Sequence, residues 1–208
     1  MVGSLSAIPL PLPSPRRSLG PGDGTRHWYE NDLGWETVPG EPVRLVVGLR
    51  FDVLDVPVEA GRPALRHLGP GSPVAVGGDR MRLLVAAGSA EELPGLLQWL
   101  EWGPSVLEPD LVALGAGTLM EAPPTPGAGP LGARPLPPGR SGSQGAAVWL
   151  RPPSGCEVEA SLPTLSAVRG GRGAPDLVRL VDTLAAHCHR IRLRRACAQP
   201  SVCPRGLE

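Results

Sequence analysis

The sequence predicts a single domain of the α+β class, and three observations lead to that prediction. The chain has 208 residues, enough to bury one sizeable core. Several short apolar runs rich in β-branched residues are separated by turn residues, which is typical of strands joined in hairpins. Two longer segments have apolar residues at helical spacing, and they do not alternate regularly with the strands as in a parallel α/β fold.

Glycine and proline divide the chain into regions. The 28 glycines and 27 prolines are concentrated at both ends and in the middle of the sequence. We therefore expect a disordered Pro-rich arm over residues 1–25 and a folded domain over 26–198. Residues 126–145 form a predicted flexible insertion in that domain, and residues 199–208 form a predicted disordered tail.

The charges and cysteines limit the function classes. All 20 basic residues are arginines, and 20 acidic residues bring the formal net charge to zero. The lack of lysine excludes mechanisms that need a lysine nucleophile or a P-loop lysine. Nucleic-acid binding would have to come from a local arginine cluster, since the chain has no net field. No apolar stretch approaches the ~18 residues of a membrane span, and the four cysteines lack disulfide-framework spacing, so we expect a cytoplasmic protein without a membrane partner.

The first half of the domain is predicted to consist mainly of strands. Aromatic residues within 27–38 are expected to cover the core. The elements predicted next are strands over 43–47 and 51–56, a helix over 58–68, and a β-hairpin with strands over 73–76 and 81–86. The hairpin is predicted from the sequence GGDR at 77–80, which has tight-turn composition and lies between two apolar runs.

The second half is predicted to contain the two amphipathic helices. Residues 89–102 form the first, with Ser89 as its N-cap. Strands are predicted between 106 and 122 on both sides of a turn at 115–118, and again over 146–150. The second helix covers 175–198. Its apolar stripe consists of Leu177, Leu180, Val181, Leu184, Cys188 and Ile191.

Three charged residues are candidates for a functional site, and each has a second interpretation. Asp55 lies in an apolar run, where a carboxylate is costly to bury without a metal ion, a cation or hydrogen-bond donors. It could instead cap a helix that begins near Val58. Asp110 is either a metal ligand or a turn residue after Pro109. Arg82 either binds a phosphate group or is a solvent-facing strand residue.

Five short motifs then follow one another in a recognisable order. They are FDVLDV at 51–56, GDRMRL at 78–83, Asp110 with LGAGT at 114–118, APPT at 122–125, and VWL at 148–150. This order resembles the bifunctional DNA primase/polymerase N-terminal domain, a family of the archaeo-eukaryotic primase superfamily. The resemblance covers roughly residues 27–152. It implies a mixed β-sheet with flanking helices.

The resemblance also implies a site and its chemistry. The family transfers nucleotides with two divalent cations held by carboxylates. Asp55 and Asp110 are therefore the implied catalytic residues and the implied ligands of Mg²⁺ or Mn²⁺. The implied nucleotide-phosphate contacts are Arg80, Arg82, Gly115, Gly117 and Thr118.

Two positions depart from the family pattern. Pro57 replaces the second acid of an Asp-x-Asp pair, and Arg82 replaces a histidine on the hairpin. Asp52 cannot easily substitute for the missing acid, because residues three apart on a strand point to opposite faces. An arginine can hold a phosphate group but cannot act as an acid or base. The sequence therefore predicts a degenerate member that binds nucleotide or single-stranded DNA.

Other functions stay open at this stage. The domain could be a weakly active metal-dependent nucleotidyltransferase, or a protein-interaction factor that binds a partner through its Pro-rich segments.

A zinc site among His187, Cys188, His189, Cys197 and Cys203 is disfavoured, because the two histidines point to different sides of a helix. The arginines at 190, 192, 194 and 195 are most simply a solvated helix end, and a phosphate-backbone contact is the alternative.

Overall fold

The computed structural model describes residues 21–103, 110–126, 147–155, 158–165 and 175–198. The strands in these ranges are β1 (Thr37–Val38), β2 (Arg44–Val46), β3 (Phe51–Pro57), β4 (Val74–Gly77), β5 (Arg80–Ala86), β6 (Val112–Leu114), β7 (Leu119–Glu121) and β8 (Val148–Arg151). The α-helices are α1 (Pro21–His27), α2 (Val58–Ala64), α3 (Ser89–Trp99) and α4 (Leu177–Ala198). Short π- or 3₁₀-helical segments occupy Trp28–Asp32, Leu65–His67 and Val158–Ser161.

The α+β class is confirmed, but the sheets differ from the prediction. The strands form a small sheet in the order β1-β2-β7 and a large sheet in the order β6-β3-β5-β4-β8. Every pairing between named strands in the described ranges is antiparallel, so the prediction of a mixed sheet is wrong. One physical reason is the short turn between β4 and β5, which only antiparallel neighbours allow.

The chain passes from the small sheet to the large one at Gly48. Its φ of +96° lies in the left-handed region, and its N–H donates to the carbonyl oxygen of Phe51 at 2.8 Å. A Cβ at this position would overlap the backbone of Ala116. This turn separates β2 from β3, so that consecutive strands belong to different sheets.

The large sheet has a hydrophobic core on each face. Helices α2, α3 and α4 cover one face, and we call this side the helical core; it includes Leu54 and Leu83. The small sheet and the N-terminal segment cover the other face, which we call the aromatic core because Tyr29 and Trp35 are buried there. The prediction that aromatic residues within 27–38 cover the core is therefore confirmed.

Strand β3 lies between the two cores and is buried on both sides. Leu54 faces the helical core and Val53 faces the aromatic core. Because side chains alternate along a strand, Asp52 lies on the helical side and Asp55 on the aromatic side. The predicted opposite orientation of these two acids is confirmed, and their different neighbours follow from it.

Most predicted elements are present, with shifts at their ends. The predicted stripe of α4 is buried, and Asp176 caps this helix by accepting the N–H of Val178 at 2.9 Å. The predicted N-cap of α3 is wrong, since the cap position is Gly88, at φ +90°, and Ser89 is already the first helical residue. Helix α1 begins at Pro21, inside the segment predicted to be disordered.

Several predictions lie outside the described residues. They concern the arm up to residue 20, the beginning of the strand at 106–109, the insertion from residue 127 onward, and the tail over 199–208. None of the helices in the described ranges combines the length and the apolar character that a membrane span requires.

Candidate functional site

Two arginines converge on Asp55 on the aromatic side of the large sheet. The register of β3 and β5 pairs Asp55 with Arg82 and Pro57 with Arg80, and paired residues project from the same face. Arg80 Nε donates to Asp55 Oδ1 at 2.5 Å, and its Nη2 donates to the Asp55 carbonyl oxygen at 2.8 Å. Arg82 Nε donates to Asp55 Oδ2 at 3.3 Å. We call these three residues the arginine cluster.

The arginine cluster has an excess of positive charge in a partly buried position. Two guanidinium groups share one carboxylate, and the side-chain exposures are 28% for Arg80, 23% for Arg82 and 15% for Asp55. Arg82 Nη1 is buried and has no hydrogen-bond partner among the described residues. A buried donor without a partner is costly. The three side chains together therefore carry one more positive than negative charge, and one guanidinium donor is left over within the described ranges.

Two of the alternative interpretations are wrong. Asp55 does not cap α2, because that helix begins after Pro57 and no side chain caps it. Arg82 is not simply a solvent-facing residue, since less than a quarter of its side chain is exposed. Both residues take part in one ion-pair network that joins neighbouring strands.

Asp110 is a turn residue with a buried carboxylate. Its side chain is only 7% exposed and accepts a hydrogen bond from Arg195 Nη1 at 2.7 Å. The register of β3 and β6 pairs Asp55 with Val112. Asp110 therefore lies two positions beyond Val112, at the end of β3 where Pro57 is located. Its partner arginine comes from α4, so this ion pair joins that helix to the sheet.

The two carboxylates that the resemblance implies as metal ligands are both paired with arginines in the structure. Asp55 already accepts hydrogen bonds from two arginines, and Asp110 accepts one from a third. In the described ranges, no three His, Cys, Asp or Glu residues lie together as a group that could hold a metal ion. Mg²⁺ or Mn²⁺ stays a prediction from the resemblance.

The turn at 115–118 lies away from the arginine cluster. Thr118 donates to the Gly115 carbonyl oxygen through its N–H at 3.1 Å and its hydroxyl at 2.6 Å. Leu114, just before the turn, is paired with Val53, so Gly115 lies roughly 10 Å along the strand from the level of Asp55 at ~3.3 Å per residue. The structure thus groups two of the predicted phosphate contacts with Asp55 and separates Gly115, Gly117 and Thr118 from them.

The sequence did not indicate the role of Asp52. This carboxylate is the most deeply buried one among the described residues, at 1% exposed. Its Oδ2 accepts the N–H of Ala90 at 2.8 Å, and Oδ1 has no partner in the described part of the chain. Burial raises the pKa of Asp52, and the hydrogen bonds from the backbones of Ala90 and Gly88 oppose this increase. Asp52 therefore supplies the cap that α3 lacks in its own sequence.

The C-terminal cysteines and histidines do not come together in the described residues. Cys188 is buried in the helical core, Cys197 is exposed, and the ring of His189 lies against Trp102, with the ring centroids 5.8 Å apart. Burial raises the pKa of the Cys188 thiol to about 12, so it stays protonated at neutral pH. Cys203 lies outside the described ranges.

Two arginines of the predicted helix end have acidic partners. Arg195 pairs with Asp110, and Arg194 pairs with Glu59 at 2.6 Å on the surface. These pairs contact α2 and the turn before β6, which leaves less positive charge for a phosphate backbone than the sequence suggests.

Comparison with known proteins gives no family assignment, since no family model, curated protein or solved structure matches the chain. The resemblance to the primase/polymerase family therefore stays a prediction from the sequence.

Proposed function

We propose that this domain is a degenerate primase/polymerase-like module that binds the phosphate groups of a nucleotide or of single-stranded DNA. The observation that supports this proposal is the convergence of Arg80 and Arg82 on one carboxylate. Their two positive charges exceed the single negative charge of Asp55, and Arg82 Nη1 is buried without a partner in the described ranges.

The chemistry of the cluster suits binding rather than catalysis. Guanidinium groups form paired hydrogen bonds with phosphate oxygens. Asp55 uses the Nε atoms of both arginines and so holds their planes in place. A phosphate group would bind the Nη atoms of the two arginines that do not already donate to Asp55. Because arginine stays charged, neither residue can transfer a proton to or from a substrate.

The first experiment titrates a labelled nucleoside triphosphate and a short single-stranded DNA at two salt concentrations. We expect saturable binding that weakens as salt increases. Arg82→Met should weaken it about tenfold, because a charge-assisted hydrogen bond is lost. The control is Arg50→Met, which removes an exposed arginine paired with Glu159. Equal affinities of the two variants would contradict the proposal, and absence of saturable binding would favour the protein-interaction hypothesis.

The variant Asp55→Asn separates phosphate binding from metal binding. If the arginines bind the phosphate directly, Asp55→Asn should keep phosphate binding without Mg²⁺, because its amide oxygen still accepts a hydrogen bond from one arginine and the neighbouring negative charge is removed. If Asp55 were a metal ligand, the same substitution would weaken Mg²⁺-dependent binding. Thermal denaturation of both proteins shows whether the variant is folded.

The nucleotidyltransferase alternative is tested by dinucleotide synthesis on a single-stranded template with Mg²⁺ or Mn²⁺. We expect no product above background from either the wild type or Asp55→Ala. Product that the wild type forms and Asp55→Ala does not form would overturn the proposal of a binding-only module.

A further inference from the structure

An apolar pocket lies on the helical side of the large sheet, between α2 and the edge strand β8. Its volume is about 490 Å³, within the range of small-molecule sites in proteins. The lining is apolar except for one residue, and it includes Leu65, Val76, Met81, Val148 and Leu150. The pocket is therefore large enough for a small organic molecule and has an apolar wall.

The packing of α2 leaves this pocket between the described elements. At Gly61 the helix lies so close to β5 that a Cβ would overlap the sulfur of Met81. The helix ends at Ala64 and covers Met81 without covering β8. Val148 and Leu150 project from the same face of that edge strand, and each is 51% exposed. Apolar surface of this kind at the mouth of a cavity favours a ligand.

Arg62 supplies the only charge among the residues that line the pocket. Its side chain is exposed, and its guanidinium group has no ion-pair or hydrogen-bond partner in the part of the chain that the structure describes. Arg80, Arg82 and Arg195, in contrast, are all paired with aspartates. An apolar cavity with one unpaired guanidinium group is complementary to an apolar molecule with one carboxylate.

We propose that this pocket binds a small amphipathic carboxylate, with its apolar body between α2 and β8 and its carboxylate on Arg62. The proposal does not depend on phosphate binding at the arginine cluster. Met81 faces the pocket, whereas Arg80 and Arg82, the residues on either side of it in β5, face the opposite side of the sheet. The two sites can therefore be tested separately.

The experiment compares 2-naphthoate with its neutral analogue 2-naphthamide, using the full chain and amide nuclear magnetic resonance. We expect saturable binding of 2-naphthoate, with shift changes centred on residues 58–65 and 148–150. Arg62→Met should weaken 2-naphthoate binding about tenfold, since a charge-assisted contact is lost, and leave 2-naphthamide binding unchanged. Arg66→Met is the matched control and should bind both compounds like the wild type.

A second variant tests the cavity itself. Leu150→Trp places a larger side chain at a half-exposed position and should weaken both compounds by filling the pocket. The proposal is overturned if 2-naphthoate does not saturate at millimolar concentration, or if Arg62→Met binds it like the wild type. It is also overturned if sedimentation shows a dimer that Leu150→Trp dissociates, because a second copy would then cover the pocket.

Discussion

At the scale of single residues, Asp52 determines how α3 begins. The helix has Gly88 at its cap position, and the carboxylate of Asp52 accepts the N–H of Ala90 in place of a local cap. We expect Asp52→Ala to lower the free energy of unfolding by about 1–2 kcal/mol, measured by urea denaturation at pH 7. Ser89→Ala is the control and should change it by less than ~0.5 kcal/mol. Equal losses would contradict the capping role of Asp52.

The same residue has a defined pH dependence. Because burial raises the pKa of Asp52, the folded protein binds the proton more tightly than the unfolded chain does. The stabilisation is complete below the unfolded-state pKa, near 3.8, and is lost as the pH rises through the higher folded-state pKa. Asp52→Asn lacks this titration, so its stability relative to the wild type should increase as the pH is raised from about 4. Urea denaturation across pH measures it, and a constant difference would contradict the raised pKa.

The sequence predicts the directions of the acidic side chains on β3 but not their partners. A period of two places Asp52 and Asp55 on opposite faces, and the structure confirms this. The partner of Asp52 is Ala90, 38 positions away, and one partner of Asp55 is Arg80, 25 positions away. Strand pairing and helix packing bring these groups together. The sequence therefore did not indicate that Asp52 caps α3, because its partner Ala90 is distant along the chain.

At the scale of elements, Gly48 is the position where the chain changes sheets. Its φ is +96°, and any Cβ would overlap the backbone of Ala116. We therefore expect Gly48→Ala to lower the free energy of unfolding by at least ~2 kcal/mol, since both strain and overlap contribute. Gly78→Ala is the control: its φ is +60°, but no atom lies within 4 Å of the added Cβ. That variant should lose only about 1 kcal/mol, measured in the same denaturation series.

Local patterns predicted the existence of elements better than their assembly. Helix α4 and the hairpin of β4 and β5 follow from spacing and turn composition within a few residues. The cap of α3, in contrast, depends on a distant residue, since Asp52 accepts the N–H of Ala90 and Gly88 occupies the cap position predicted for Ser89. Likewise, the chain divides into two antiparallel sheets at the turn of Gly48. No local pattern indicates that this turn packs tightly against Ala116.

At the scale of the whole molecule, the large sheet separates two candidate sites. The arginine cluster lies on the aromatic side, and the apolar pocket with Arg62 lies on the helical side. The sequence placed Asp55 and Arg82 in one site because both belong to motifs of the resemblance, but as a metal ligand and a phosphate contact and not as an ion pair. It did not predict the pocket, which arises where α2 ends short of β8.

Because β3 and β5 contribute to both cores, we expect the described elements to unfold as one cooperative unit. Leu83 and Leu84 are adjacent in β5 and fully buried, but the first faces the helical core and the second the aromatic core. Replacing either by alanine should cost about 2–5 kcal/mol. In each variant, tryptophan fluorescence and far-ultraviolet circular dichroism should report one shared urea midpoint, lower than that of the wild type. If Leu84→Ala shifted the fluorescence midpoint alone, the two cores would unfold independently, and the shared sheet would not couple them.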